Sequence, residues 1–519
     1  MIASTHRLVA GAGMWLFLSG CGSDPTPLEA PQAQPEPPSA SVAGSTDINV
    51  LLRGPATSAD RSELSRYGAI YAELAQINAV LMRAGADDIP RIRALPFVAS
   101  VGRDQPRDVP PEENVAAEGF IPLAPHNVWN LDALNVTNFD PSFSGAAQRQ
   151  VAYDGKGVVV TFLDTGLMPL WPFYFAGKDV DTQHSTTLMG GGESGNGTVV
   201  SPKDKWERDV LGHGTHVSSV VLGYRYVSGF AGSFQVDGIA PAATLVMIKV
   251  ANQRFGRSSA IAQGVVYATD LVRAGGPHAG KRMVINMSLG GPELDPVERA
   301  AFDYAVQNGV VLVAAAGNSG PTGNLIYPAA YEPVISAAAA GWVGEWDDPG
   351  GNNPPNPACG TLPLASDVLQ PVAFWRQCDV PDPYASANFF IAPFSSRDPD
   401  RLDSGANYDL DVAAPGDGII GPWGSNNGQI SYRATAGTSE ASPHVAGIIA
   451  LMLQKNPGIT PAQVESCLES AAQPLIYLGQ QARPYSPNLT PEPPVAIPSW
   501  GSDRSGHGFI TADAALACA

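Results

Sequence analysis

Apolar residues gather in continuous runs at 158–163, 244–250, 283–287 and 310–316. Runs of this kind read as strands buried on both faces. Between them lie helical stretches at 214–224, 258–274 and 294–308. Strands alternating with helices predict an α/β fold, a mostly parallel sheet flanked by helices on both faces. Active sites of such sheets gather beyond the carboxyl ends of the strands. Upstream, 47–103 reads as a small α+β unit. It holds a strand at 48–52, a polar helix at 58–66 with Ser58 as cap, an alternating strand at 75–82, a short helix at 89–94 and a strand at 97–101. A strongly apolar helix covers 445–453, and no internal repeat is present.

Composition narrows the class. The 519 residues are 44% hydrophobic and 15% charged, a globular enzyme's balance in a chain longer than one compact domain needs. Thirty Lys and Arg against 49 Asp and Glu leave a net charge of −19, which excludes nucleic acid as the main partner. Gly 55 and Pro 47 suit many turns and long connections. Residues 21–46 are a Pro-, Ala- and Ser-rich tether, and 104–128 are a Pro- and Glu-rich linker.

The N-terminus carries Arg7, an apolar run at 8–18 and then Leu18-Ser19-Gly20-Cys21. The run is shorter than the ~20 residues that span a bilayer, so 1–20 read as a secretory signal. Its ending resembles a bacterial lipobox, which implies a lipid on Cys21 and sorting to the cell envelope. An ordinary signal peptide is the alternative. Four cysteines remain, an even number in an exported chain. They allow three pairings. Cys359–Cys378 would staple one loop, and Cys467–Cys518 would tie a late helix to the C-terminus.

Candidate chemistry lies at the ends of the predicted strands. Asp164 closes the run at 158–163. His213 stands between two glycines at the head of a helix, with His216 one turn on as a structural residue. Asn318 follows the run at 310–316. Ser439 lies in GTSEASPHVAG, 437–447, before a helix whose first turn holds Pro443. A serine hydroxyl needs a base, and the base needs an orienting group. The helix N-terminus favours developing negative charge, and the Asn318 amide supplies a second donor to an oxyanion.

These residues, in the order Asp164, His213, Asn318 and Ser439, resemble the subtilisin-like serine protease family. The resemblance covers nearly all of 129–519. The segment 47–103, with INAV at 77–80 and LPFVASVGRDQP at 95–106, resembles that family's inhibitory propeptide. Asn286-Met287-Ser288-Leu289-Gly290-Gly291 resembles the substrate-binding strand and one pocket wall. Ala315-Ala316-Gly317 resembles the opposite wall. The segment 412–416 resembles a late strand and turn, and 506–517 the closing segment, after which no further domain is expected.

The resemblance implies an Asp164–His213–Ser439 triad, an Asn318 oxyanion donor, and substrate held as an extended strand by Ser288, Leu289, Gly290, Ala315, Ala316 and Gly317. It implies a broad-specificity endopeptidase, made as a self-processed zymogen and acting as a monomer on protein and peptide substrates. Cleavage within 104–128 would release the catalytic domain from a lipid tether. No cofactor is needed for the chemistry. Structural Ca²⁺ is an option, with Asp179, Asp181, Asp204 and Asp209 as candidates and solvated charges as the alternative. Two departures stand out. Glu440 replaces the family's Met after the serine, either raising the His213 pKa or pointing into solvent. An insertion at 341–393 holds Cys359 and Cys378. A catalytically silent, lipid-anchored binding protein is the competing reading, opposed by the presence of all four chemical residues.

Overall fold

The structure is a computed structural model that describes residues 44–109, 113–116, 129–137, 149–188, 205–228, 232–343, 346–347, 376–377, 380, 382–398, 410–424, 429–477 and 499–519. The signal, Cys21, most of the tether, Asp204, Cys359 and Cys378 lie outside them.

The N-terminal unit is a four-stranded antiparallel sheet with two short helices. Its elements are β1 (Ser45–Leu52), α1 (Ser58–Leu64), β2 (Gly68–Leu74), β3 (Ala79–Gly85), α2 (Ile89–Arg93) and β4 (Val98–Arg103), with sheet order β2-β3-β1-β4. Period-two alternation gives this sheet two buried faces. Ile48, Val50, Val80 and Met82 pack with Leu64 and Ile92 of the unit's own helices. Leu51, Ala79 and Leu81 face the other way and join a second core with Val297 and Phe302.

Two local expectations change here. Thr57, not Ser58, caps α1, in a capping box with Asp60. The strand expected at 75–82 breaks, because Ala75–Ile77 is one 3-10 turn ending at Asn78 with φ 53°. Asparagine tolerates that left-handed conformation, which lets β2 turn back into β3. The unexpected strand β2 is the partner this turn creates.

The second unit is built on a nine-stranded sheet. Its principal elements are β5 (Val158–Asp164), α3 (His213–Leu222), β6 (Thr244–Lys249), α4 (Ser258–Val272), β7 (Arg282–Met287), α5 (Pro296–Gln307), β8 (Val311–Ala315), β9 (Ile335–Trp342), β10 (Phe389–Ile391) and β11 (Val412–Pro415). They are followed by α6 (Thr438–Lys455), α7 (Pro461–Ala471) and α8 (Ala512–Cys518). The order is β10-β9-β8-β7-β5-β6, with β11 also on β9 and the short strands Asp179–Val180 and Thr186–Thr187 outside β6. All these pairings are parallel except β9 with β10.

Alternate side chains go to opposite faces. Val159, Leu163, Ile285 and Leu312 pack under α4 and α5. Val158, Val160, Phe162 and Val313 pack against α3 and α6. Both faces are buried, as the continuous apolar runs predict.

β9 was not expected from its sequence. Its ISAAAAGW has no β-branched signal beyond Ile335, and alanine favours helix in isolation. Burial between β8 and β10 overrides that propensity. The insertion's expected start also shifts, because Gly341 and Trp342 still belong to β9, and Trp342 pairs with Phe389 near its far end. The helix expected to begin after Ser439 starts at Thr438 and carries Pro443 in its interior. Cys467 of α7 and Cys518 of α8 form a disulfide.

Candidate active site

Parallel strands bring their carboxyl ends together, and that is where the chemistry collects. Asp164 ends β5 and pairs in register with Lys249 at the end of β6. His213 opens α3, reached through Gly212 at φ 94°, where a Cβ would come 2.4 Å from the Gly424 nitrogen. Only glycine enters that turn without strain. Asn318 lies three residues past β8, and Ser439 is the second residue of α6.

His213 Nδ1 lies 2.7 Å from Asp164 Oδ1, and both side chains are fully buried. A carboxylate only accepts, so Nδ1 carries the hydrogen, and in the neutral ring Nε2 holds the basic lone pair. The same Oδ1 accepts from the Thr165 N–H at 2.7 Å and the Thr165 hydroxyl at 3.1 Å. These donors offset the cost of burying the charge. Gly214 N–H in turn donates to Thr165 Oγ1 at 3.0 Å, fixing the head of α3 to the end of β5.

Ser439 Oγ donates a long bond of 3.4 Å to the Ser288 carbonyl. As the second helical residue, Ser439 has an N–H that no intrahelical carbonyl can reach. The Asn318 amide is oriented by its neighbours. Thr438 N–H and hydroxyl both donate to Asn318 Oδ1, at 2.9 and 2.8 Å. A backbone N–H can only donate, so the bonded atom is the oxygen and the NH₂ is the other end of the amide. Thr438 Oγ1 also accepts from Gly317 N–H at 3.0 Å. His213 is thus joined to Asp164, and the Asn318 amide to Thr438, the neighbour of Ser439. A base with an orienting carboxylate and amide donors are the groups acyl transfer uses.

Of the residues expected to bind substrate, Gly290 makes strand-like bonds. It exchanges two backbone hydrogen bonds with Asp108, at 2.9 and 3.0 Å. Ser288 instead turns inward, its Oγ bonded to the Ser439 carbonyl, Ser442 Oγ and Asn286 Nδ2. Leu289, Ala315 and Ala316 are fully buried. Facing Gly290 across a groove is the segment 254–257, which sequence reasoning missed. Arg107 N–H donates to Gly256 O at 3.0 Å and Val109 N–H to Arg254 O at 2.8 Å. Residues 105–109 thus run as a middle strand between two edges. At Gly291 a Cβ would come 2.3 Å from the Pro106 carbonyl, so the close approach requires glycine there. Beyond 109, Glu113–Ala116 pairs antiparallel with Tyr432–Ala436, just before Ser439.

Glu440 takes neither expected course. It is fully buried, not solvated. Its Oε1 accepts from Thr435 Oγ1 at 2.8 Å and lies 3.4 Å from Nδ1 of His216, not His213. His216, expected as structural, is buried, with Nε2 3.1 Å from the Ile419 carbonyl and its ring edge-on to Trp423. Lys249 was missed. Its fully buried ammonium donates to the Thr165 carbonyl at 2.6 Å. The only sequence signal was a lone lysine ending an apolar run. Asp209 is pushed up to about 6 by burial, against the pull of Lys249.

The subtilase family profile matches residues 155–491. The chain belongs to the subtilase family. It is 31% identical to subtilisin DY of Bacillus licheniformis over 324 residues, 62% of this chain and 85% of that one. With subtilisin E of Bacillus subtilis it shares 28% over 418 residues, 79% of each. A crystal structure of fervidolysin from Fervidobacterium pennivorans, a keratinolytic enzyme related to subtilisin, aligns with TM-score 0.59 at 22% identity. That alignment covers 91% of this chain and 61% of fervidolysin, and shows the shared fold. The protein is a subtilisin-like serine endopeptidase.

Three of the four calcium candidates, Asp179, Asp181 and Asp209, lie among the described residues, and each has a different setting. Asp179 accepts from Thr244 Oγ1, Asp181 faces two histidines, and Asp209 lies near Lys249. Ca²⁺ takes six to eight oxygens, and among the described residues these three carboxylates do not share one cluster.

Proposed function

We propose that Ser439 is the nucleophile of an endopeptidase of broad side-chain preference, made as a zymogen that 47–103 inhibits. The observation that carries this reading is the segment 105–109, hydrogen-bonded through its backbone between 254–256 and Gly290. Recognition of that kind engages any extended chain and carries little sequence information.

In the proposed reaction His213 takes the proton of Ser439 as the hydroxyl attacks the scissile carbonyl. Asp164 keeps the imidazole oriented and balances its charge. The Ser439 N–H and the Asn318 amide hold the oxyanion. His213 then protonates the leaving amine, and water releases the acyl group by the reverse sequence. Leu289, Ala315, Ala316 and Gly317 form the pocket walls.

The inhibitory role of the N-terminal unit rests on its anchors at two helix starts. Asp104 accepts from Ser258 Oγ, Ser259 N–H and Ser259 Oγ at the start of α4. Arg107 pairs with Glu298 in the first turn of α5, both fully buried. A carboxylate at a helix N-terminus is favourably placed.

Export, a lipid on Cys21 and a membrane-tethered precursor complete the proposal, with Cys359–Cys378 as a second disulfide and a monomeric mature enzyme. Hydrolysis of an unfolded protein by the processed enzyme, absent in Ser439→Ala, supports the catalytic assignment. Equal hydrolysis by the variant contradicts it. A mature form that still begins at lipidated Cys21 overturns the release of the catalytic domain from its tether.

A further inference from the structure

On the outer edge of β6, Asp181 follows the strand Asp179–Val180 and opens a turn pinned to the sheet. Asp181 N–H donates to the Leu245 carbonyl at 2.8 Å, and Ser185 Oγ accepts from Met247 N–H at 2.9 Å. Gln183 and His184 N–H both donate to Asp181 Oδ1, at 3.0 and 3.1 Å. The backbone thus occupies one carboxylate oxygen.

The other oxygen is met by two imidazoles from different parts of the chain. His184 Nδ1 and His278 Nε2 each lie 2.6 Å from Asp181 Oδ2. His278 belongs to the loop after α4, held by its N–H on the Leu271 carbonyl at 2.8 Å. The rings meet edge to face at 5.4 Å. The side chains are 10%, 27% and 11% exposed for Asp181, His184 and His278. One oxygen and two ring nitrogens of different type therefore converge in a largely sheltered pocket, within 4.8 Å of one another.

We propose that Asp181, His184 and His278 bind a divalent transition-metal ion, Zn²⁺ above all, with water as fourth ligand. Two imidazole nitrogens and one carboxylate oxygen are a set Zn²⁺ accepts, whereas Ca²⁺ takes oxygen alone. Zinc bonds of about 2.0–2.2 Å in tetrahedral array need ligand atoms about 3.3 Å apart. Each imidazole then has to withdraw by less than an ångström and present a lone pair in place of its N–H. The turn and the loop carry these residues, so the sheet itself does not move.

The site stands apart from the groove. Arg254–Gly256 precede α4 and His278 follows it, and a helix of 15 residues spans about 22 Å. The metal is therefore structural. It clips the loop after α4 to the edge of β6 and stabilises the folded state by mass action.

The test uses the full chain carrying Ser439→Ala to prevent self-digestion, purified without a histidine tag and stripped with chelator. Titration with ZnCl₂ alone is expected to give one tightly bound equivalent and a higher Tm, with millimolar CaCl₂ unable to compete. His184→Gln and His278→Gln are each expected to weaken that equivalent by about 100-fold or more, at least the loss that removing a supporting residue produces. Should the variants fold poorly, Co²⁺ added to the parent protein is read by the visible absorption of a tetrahedral N/O site. No retained zinc, unchanged affinity in both folded variants, or an octahedral Co²⁺ spectrum overturns the proposal.

Discussion

Ser288 Oγ donates a 2.8 Å hydrogen bond to the backbone carbonyl of Ser439. That carbonyl lacks its helical partner, because the residue four positions on is Pro443, which has no N–H. The strand end at Ser288 therefore completes the helix start that carries the serine.

Ser288→Ala is expected to leave a buried carbonyl unsatisfied, at a cost of about 1–3 kcal/mol in stability. It should lower kcat more than it raises KM, since the serine's position is what loosens. Pro443→Ala restores an N–H at the missing position. The double variant is therefore expected to recover part of the loss, and additive losses in urea unfolding contradict the linkage.

His444 supplies a pH signature. Its Nδ1 donates to the Glu440 carbonyl at 2.7 Å, and its Nε2 accepts from Asn130 Nδ2 at 2.8 Å, so the buried ring is neutral. Burial pushes its pKa down to about 3. The unfolded chain protonates near 6.5, so its contribution is whole above that pH and is lost as pH falls from about 6.5 toward 3. His444→Leu is expected to flatten the acid side of the stability curve by about 1.4 kcal/mol per pH unit relative to wild type. An unchanged slope in urea titrations across pH 4–6.5 contradicts the assignment.

Asp295 supplies another pH signature, at the contact with the N-terminal unit. It caps α5 through Val297 and Glu298 N–H. Burial first, then the nearby Glu298, raise its pKa to about 7, against the Asn49 side chain and its own capped N–H groups. Arg107 and Asp104 also face this region. When the unit leaves, Asp295 returns toward an ordinary carboxylate, so association takes up a proton. Inhibition by the cleaved unit is expected to weaken as pH rises from about 4 to 7 and then level off. Asp295→Asn should remove that slope in an inhibition assay, and a retained slope places its origin elsewhere.

The proposed processing turns on what joins two anchors. Asp108 is held on Gly290 and Glu113 pairs with Ala436, three residues before Ser439 in the chain. The connecting residues in the sequence are Pro110, Pro111 and Glu112. A proline nitrogen carries no hydrogen, and its ring crowds the leaving-group side of the bond. Self-cleavage at this place is expected to be slow. Replacing Pro110 and Pro111 by Ala should speed conversion of the precursor, followed by N-terminal sequencing. An unchanged rate means that the bond cut in maturation lies elsewhere.

The sheet and its helices were legible because strands buried on both faces leave unbroken apolar runs. Asp164, His213 and Ser439 stood out because each ends a strand or opens a helix, and Asn318 because it follows a glycine just past a buried strand. Less was visible where packing, not pattern, decides. β9 hides in an alanine run, β2 depends on one left-handed Asn78, and Lys249 is an ordinary lysine until β5 and β6 align. The segment 254–257 carries no recognisable motif, because its bonds to Arg107 and Val109 are made by the backbone carbonyls of Gly256 and Arg254. Glu440 could not be placed because its partner, His216, comes from a helix more than two hundred residues earlier.

The central claim is that Ser439 is the nucleophile activated by His213. Reaction of the processed enzyme with a fluorophosphonate, read by intact mass and peptide mapping, tests it most directly. The account predicts one adduct, located on Ser439, absent from Ser439→Ala and strongly slowed in His213→Ala. An unlabelled wild-type protein, or an adduct that persists in Ser439→Ala, contradicts it.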